Sequence, residues 1–268
     1  MRDRDTLFPS AAAAYKRAFK NTNEEIALAN LDELRRELAI GNRIVANEGV
    51  LDAFGHVSMR HPDNPNRYLL SRSRAPELVE PGDFIEYDLE SQPLKEPGVT
   101  QYSERVIHGE IYKARPDVMS VCHHHAASFM PLLITGTDYE PVFHLGAVGG
   151  SKPPFWDQHK EFGDTNMLVV KPAEGASLAR ALGQHNMVLM NRHGVTAVGV
   201  SVKMCVFRCV FSTRNAEYQV RAMGLGTIDP LRAGEVELAG KIASGTTGLD
   251  RSWEYWSQRL KRAGLMPA

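Results

Sequence analysis

The chain has 268 residues, 43% hydrophobic and 24% charged, with a formal net charge of -1. That length buries a full core as one domain, and the near-neutral balance gives no electrostatic footing on nucleic acid or an acidic membrane surface. No apolar run approaches the roughly 18 residues of a membrane span, and Met1-Arg2-Asp3-Arg4-Asp5 leads into no apolar segment of a secretory signal.

In chain order, 1–21 reads as an N-terminal arm, with a short helix over Ala11–Phe19 as an option. The spacing of Ile26, Leu28, Leu31, Leu34, Leu38 and Ile44 predicts a helix over 22–48, capped by Asn23 and stopped by Gly49. Gly55–Arg60 and Tyr68–Ser71 flank the turn signal His61-Pro62-Asp63-Asn64-Pro65-Asn66 as a hairpin. A strand follows over Phe84–Leu89, then a helix over Tyr102–Lys113 that Arg115-Pro116 ends. Val118 onward reads as a buried strand, followed by helices over Ala127–Ile134 and Ala173–Gln184, with a short strand at Met167–Val170 between them. Met187–Met190 and Val195–Val200 are strands joined at Asn191–Gly194. Ser201 caps a long helix to about Met223, and helical stretches over Pro230–Ile242 and Arg251–Ala263 make 227–268 a C-terminal helical extension of a single 1–268 domain. Interleaved strands and helices predict an α/β fold with helices on both faces of a sheet. The three cysteines form no Cys-x-x-Cys pair, and Cys205 and Cys209 at i, i+4 read as buried thiols of a reduced, cytoplasmic protein.

The chemistry concentrates in Ser120-Val121-Cys122-His123-His124-His125 and, much later, Asn191-Arg192-His193-Gly194. In a strand, His123 and His125 point to one face and His124 to the other. His193, just before a glycine and an apolar strand, can complete a set of three imidazoles. Three neutral nitrogens with an open position describe a catalytic divalent-metal site. Glu104 opens the helix that leads to this strand, with His108 one turn on along the same face. A carboxylate beside a metal can serve as ligand or general base; a first-turn glutamate also complements the helix dipole, and position alone leaves both readings open.

Ser103-Glu104, nineteen residues before His123-x-His125, with His193-Gly194 downstream, resembles the class II aldolase/adducin family. The resemblance runs from about Leu31 to Leu225 and includes Gly55-His56-Val57-Ser58 and Gly149-Gly150. It implies a three-layer α/β/α fold around a mixed, largely antiparallel sheet. It further implies one divalent ion per subunit, zinc or manganese, on His123, His125 and His193, with Glu104 as acid/base. Members are commonly homotetramers with sites at subunit interfaces.

Departures from the family pattern bear on substrate. Ser71-Arg72-Ser73-Arg74 stands where sugar-phosphate aldolases carry a small-residue phosphate loop, His56 stands for an asparagine, and Tyr102-Ser103 for a serine pair. Phosphate cradles need close approach of backbone N–H groups, whereas guanidinium forks suit planar carboxylates. The family's proton-donating tyrosine falls near Phe143, which has no hydroxyl. These changes are similar to the family's decarboxylase branch, whose substrates are dihydroxyphthalates and 3-hydroxy-2-methylpyridine-4,5-dicarboxylate of vitamin B6 breakdown. The expected activity is therefore metal-dependent decarboxylation of a hydroxylated aromatic or heteroaromatic carboxylate. Arg72 or Arg74 would anchor a carboxylate, Ser71, Ser73, His56 and Ser103 would assist, and Phe143, His144 and Trp253–Trp256 would pack the ring or form a lid. An aldolase or epimerase on a non-phosphorylated hydroxy-carbonyl compound, and a non-catalytic adducin-like module, are the alternatives. A small carboxylated molecule and further copies of the chain are the expected partners.

Overall fold

Strand alternation and two helical faces organise the computed structural model, which describes residues 31–268. The strands are β1 His56–Arg60, β2 Arg67–Ser71, β3 Phe84–Asp88, β4 Ser120–His124, β5 Phe155–Trp156, β6 Met187–Met190 and β7 Gly194–Gly199. The main helices are α1 Leu31–Asn47, α2 Val106–Ala114, α3 Met130–Thr135, α4 Gln158–Phe162, α5 Pro172–Leu182, α6 Val202–Met223, α7 Ala233–Ala243 and α8 Thr246–Ala263. The arm at 1–21, its optional helix and the 22–30 portion of the first predicted helix lie outside the described residues.

The sheet runs in the order β3-β2-β1-β4-β7-β6-β5. All neighbours are antiparallel except β5 and β6, so the sheet is mixed. On one face Val57, Leu69, Cys122, Ala197 and Leu189 meet Leu38, Ile44 and Val45 of α1 and Cys205, Val206, Cys209 and Val210 of α6. On the other, Leu70, Val121, Val188 and Val198 meet Ile107 and Ile111 of α2 and Leu178 and Leu182 of α5. Helices thus cover both faces, as expected of an α/β layer fold. Burial of both faces explains why the β4 sequence is apolar at both parities rather than alternating. Among the described residues, no helix is long and apolar enough to cross a membrane.

Several elements differ from expectation. Met167–Val170 is not a strand. Its amides serve carboxylates, Val169 N–H donating to Glu104 Oε1 (2.9 Å) and Val170 N–H to Glu174 Oε2 (2.9 Å). Met167 also adopts a left-handed φ of 69°, which interrupts an extended run. The sheet edge is instead the two-residue β5, parallel to β6. The helix expected from Tyr102 begins with a 3-10 turn at Ser103–Arg105 before α2, and the last helix starts earlier, at Thr246. Trp256 is buried against Phe207 and Phe211, and the Trp253 ring lies beside Gly41 and Lys203. Trp256 is thus a core residue of this face rather than a ring-packing or lid residue, and Trp253 is half-buried against the same cluster.

Candidate metal centre and its surroundings

Backbone register positions the four central residues. In the antiparallel ladders, His123 lies opposite His56 of β1 and Thr196 of β7. Its Nδ1 is 3.1 Å from Thr196 Oγ1, which leaves Nε2 for the site. β4 ends at His124, and His125 follows just beyond it. His193 sits in the β6–β7 connection, where Arg192 takes φ 56° and His193 N–H donates to the Met190 carbonyl (3.0 Å). Gly194 is required next to it: a Cβ there would lie 2.4 Å from the His124 carbonyl and 2.9 Å from His125 Cδ2. The His-Gly pair therefore lets one strand end nest against the other. Glu104 lies in the 3-10 turn with φ -91° and ψ 19°, in the sparsely occupied bridge region common at functional sites.

These elements bring Glu104, His123, His125 and His193 together, with one donor atom from each within 4.8 Å of the others. His123 Nε2 and His125 Nε2 are 3.1 Å apart. Glu104 Oε2 is 3.6 Å from His123 Nε2, and its Oε1 is 3.5 Å from His193 Nε2. The His125 and His193 rings are stacked at 5.2 Å, and His123 meets both edge-on. Burial keeps the imidazoles neutral: it holds His123 well below its ordinary pKa, lowers His125 against the opposing charge of Asp52, and takes His193 down to about 4. Burial also raises the Glu104 carboxyl to about 7, with the Val169 N–H pulling it back.

Neutral imidazoles are the ligating form. Tetrahedral ligands about 2.0–2.1 Å from zinc stand roughly 3.3 Å apart, close to the spacings here. The donor set therefore fits a divalent cation held by His123, His125 and His193, with Glu104 beside it. His124, as alternation requires, faces away and meets the Phe129 ring.

The surroundings divide the remaining predicted residues. His56 is buried, 5.6 Å from the His123 ring and 4.5 Å from that of Tyr102. Tyr102 accepts a hydrogen bond from Ser71 Oγ (3.3 Å) and donates to the Arg74 carbonyl. His56 and Tyr102 thus link the cluster to the Ser71–Arg74 loop. In that loop Arg72 Nε and Arg74 Nη1 each donate to Asp83, both at 2.7 Å. Arg72 also lines an open groove with Arg35, Glu86 and Lys95. Ser73 is held through its backbone N–H to the Thr100 carbonyl (2.8 Å), and Ser103 is exposed beside Glu104. Phe143 and His144 pack on each other, and Phe143 on Tyr218; no contact among the described residues joins them to the cluster.

Sequence reasoning did not find Asp83, Thr196, Val169, Ser58 or Tyr112 around the site. Two neighbouring arginines with an acidic turn following, Pro81-Gly82-Asp83, are a charge-pairing signal for the first. Thr196 needs the β4–β7 register, and Val169 acts through a backbone group that no side-chain pattern reveals.

A layered mixed sheet with three histidines and a glutamate clustered at the ends of its central strands defines an α/β protein with a candidate metal site. Residues 36–220 match the family described as Class II Aldolase and Adducin N-terminal domain. The chain belongs to that family. It is 32% identical over 252 residues to decarboxylase tropJ of Talaromyces stipitatus, covering 86% of this chain and 95% of that one. It is 26% identical over 191 residues to the 3,4-dihydroxyphthalate decarboxylase of Arthrobacter keyseri, covering 66% and 73%. Among solved structures, an aldolase II superfamily protein from Pseudomonas syringae superposes with a TM-score of 0.74 at 19% identity, covering 90% and 98%; this likeness concerns the fold.

Proposed function

We propose that the chain is a divalent-metal-dependent decarboxylase of hydroxylated aromatic or heteroaromatic carboxylates. One observation carries the chemistry: a buried carboxyl, Glu104, stands against three imidazoles, His123, His125 and His193. A cation held by His123, His125 and His193, manganese or zinc, would supply Lewis acidity toward an oxygen next to the breaking bond. The chain's residues do the rest. Arg74 and Arg72, at the far side of Tyr102, offer N–H groups to a second carboxylate of the substrate. Loss of CO2 breaks the ring–carboxyl C–C bond and leaves its electron pair on the ring carbon. The Glu104 carboxylic acid supplies the proton that this carbon takes up and is then reloaded from water. Val169 N–H occupies Oε1, so Oε2 is the oxygen left to carry that proton.

The names of the relatives above support decarboxylation over aldol cleavage, as does Phe143 in place of a proton-donating tyrosine. The metal-loaded protein should release CO2 from hydroxylated aromatic dicarboxylates, with 3-hydroxy-2-methylpyridine-4,5-dicarboxylate and 3,4-dihydroxyphthalate tested side by side. Aldehyde release from hydroxy-carbonyl compounds, without CO2, would establish the aldolase reading instead. Absence of both with metal bound would leave an adducin-like binding role. The family resemblance further supports a homotetramer, which light scattering tests directly.

A further inference from the structure

We propose that a buried hydrogen-bond chain, Tyr112–Ser58–His108–His56, fixes His56 as its Nε2–H tautomer and makes it a hydrogen-bond donor to an anionic substrate oxygen, neither a metal ligand nor a base. The substrate part of this inference rests on the decarboxylase reading; the tautomer part does not.

The chain is continuous. Tyr112 Oη is 2.7 Å from Ser58 Oγ, Ser58 Oγ is 2.6 Å from His108 Nδ1, and His108 Nε2 is 2.7 Å from His56 Nδ1. Ser58 and His108 are fully buried, and Tyr112 and His56 nearly so. The facing nitrogens, His56 Nδ1 and His108 Nε2, share one hydrogen, so one of them presents a lone pair to the other.

The polarity follows from the closed end. The Tyr112 hydroxyl hydrogen has Ser58 Oγ as its side-chain acceptor. Satisfying both buried hydroxyl hydrogens within the chain has Tyr112 donate to Ser58, and Ser58 to the lone pair of His108 Nδ1. That leaves the His108 hydrogen on Nε2, where it donates to His56 Nδ1. The remaining hydrogen of His56 then sits on Nε2.

The opposite polarity puts the hydrogen on His56 Nδ1, where His108 and the carbonyl of His56 itself would accept it. Among the described residues it leaves the buried Tyr112 hydrogen without a side-chain acceptor, a bias of about tenfold to a hundredfold against that arrangement. His56 lies between the metal cluster and Tyr102, and it feels the fields of His125 and His193. An oxygen of a ligand bridging the cluster and the arginine loop is the acceptor its N–H would meet. Tyr112, Ser58 and His108 act through His56 and are positioning residues.

Long-range nitrogen-15 correlation spectra of the full chain, histidine-labelled and loaded with diamagnetic zinc, read the tautomers directly. The His56 and His108 signals are assigned by their loss in His56→Asn and His108→Asn. Both should be Nε2–H; an Nδ1–H or a charged imidazolium at His56 near pH 7 overturns the proposal. Tyr112→Phe removes the hydrogen that sets the polarity, so it should populate Nδ1–H at His56 and raise KM about tenfold with a smaller change in kcat. His108→Gln keeps an N–H within reach of His56 and should hold KM within about threefold, whereas His108→Leu should raise it about tenfold or more. Equal KM in the wild type and Tyr112→Phe, despite a shifted tautomer, would end the donor role. The spectra need no substrate, so failure to release CO2 would count against the decarboxylase reading and leave the tautomer result standing.

Discussion

The histidine–glutamate cluster and the Ser71–Arg74 loop lie on either side of His56 and Tyr102, yet they are held in different ways. His123 and His193 take their places from the ladders and turn of central strands, and Glu104 from a turn closed by a backbone N–H. Their side chains are at most 10% exposed. Arg72 and Arg74 leave the end of β2 with 36% and 29% of their side chains exposed, and both depend on one carboxylate, Asp83. Positions fixed by backbone pairing cannot relax without breaking the sheet. Side-chain partnerships with an acid are not locked by the ladders, and the guanidinium N–H groups not used by Asp83 can meet a ligand carboxylate. The first region is held rigidly enough to suit an ion, and the second is freer to take on a further partner.

The largest effect that would break this contrast lies in the cluster. His123→Ala with His193→Ala should lower metal affinity by more than about 100-fold, beyond the loss typical of supporting residues, and abolish turnover. Full metal occupancy in the double variant, by elemental analysis, would show that the cluster is not the ion's site. Next, Glu104→Gln should retain the metal but reduce turnover about 100- to 10,000-fold; near-normal rates would remove its proton-transfer role.

The same variant carries a pH signature in the metal-free protein. Burial raises the Glu104 carboxyl from its ordinary 4.5 to about 7 in the fold. Its contribution to stability is fully present below about 4.5 and is lost as pH rises through about 7. The stability of the wild type relative to Glu104→Gln should therefore fall across that window in urea titrations, and a flat difference would mean an unshifted carboxyl.

Smaller effects are expected in the loop. Arg74→Ala should raise KM about tenfold with kcat nearly unchanged. Arg72→Ala, in the outward groove, should do less; the reverse order would place the substrate on the groove side. Smallest is Met167→Gly. Relief of a left-handed φ at a non-glycine residue is worth about 1–2 kcal/mol, partly offset by glycine's chain entropy of about 0.5–1 kcal/mol. Thermal melting should move up slightly, and a clear loss would show that the Met167 side chain supports the Glu104 clamp.

Much of the architecture was legible because it rests on local pattern. The helix around Leu38 and Ile44, the capped helix after Ser201 and the hairpin before Arg60 each announce themselves by period, cap or turn residues. Met167–Val170 misled because an apolar run reads as a strand only while its amides are free for a ladder; here two carboxylates take them. Phe155–Trp156 is too short for any alternation to show. The tryptophans near 253–256 carry the right rings for a lid, but nothing local shows that α8 turns Trp256 into the core.

Local sequence is enough to name the side chains that could form a metal site, because alternation along a strand puts His123 and His125 on one side whatever lies around them. It also determined the family, since the glutamate, His-x-His and His-Gly order survives independently of packing. Only the tertiary structure decided what each group's protons do. Burial sets the neutral imidazoles and the raised Glu104, Asp83 takes up the arginines, and a hydroxyl at Tyr112, fifty-six residues beyond His56 in the sequence, sets the tautomer. Proton position depends on dielectric and on partners brought in from other strands, and neither is a property of the local sequence.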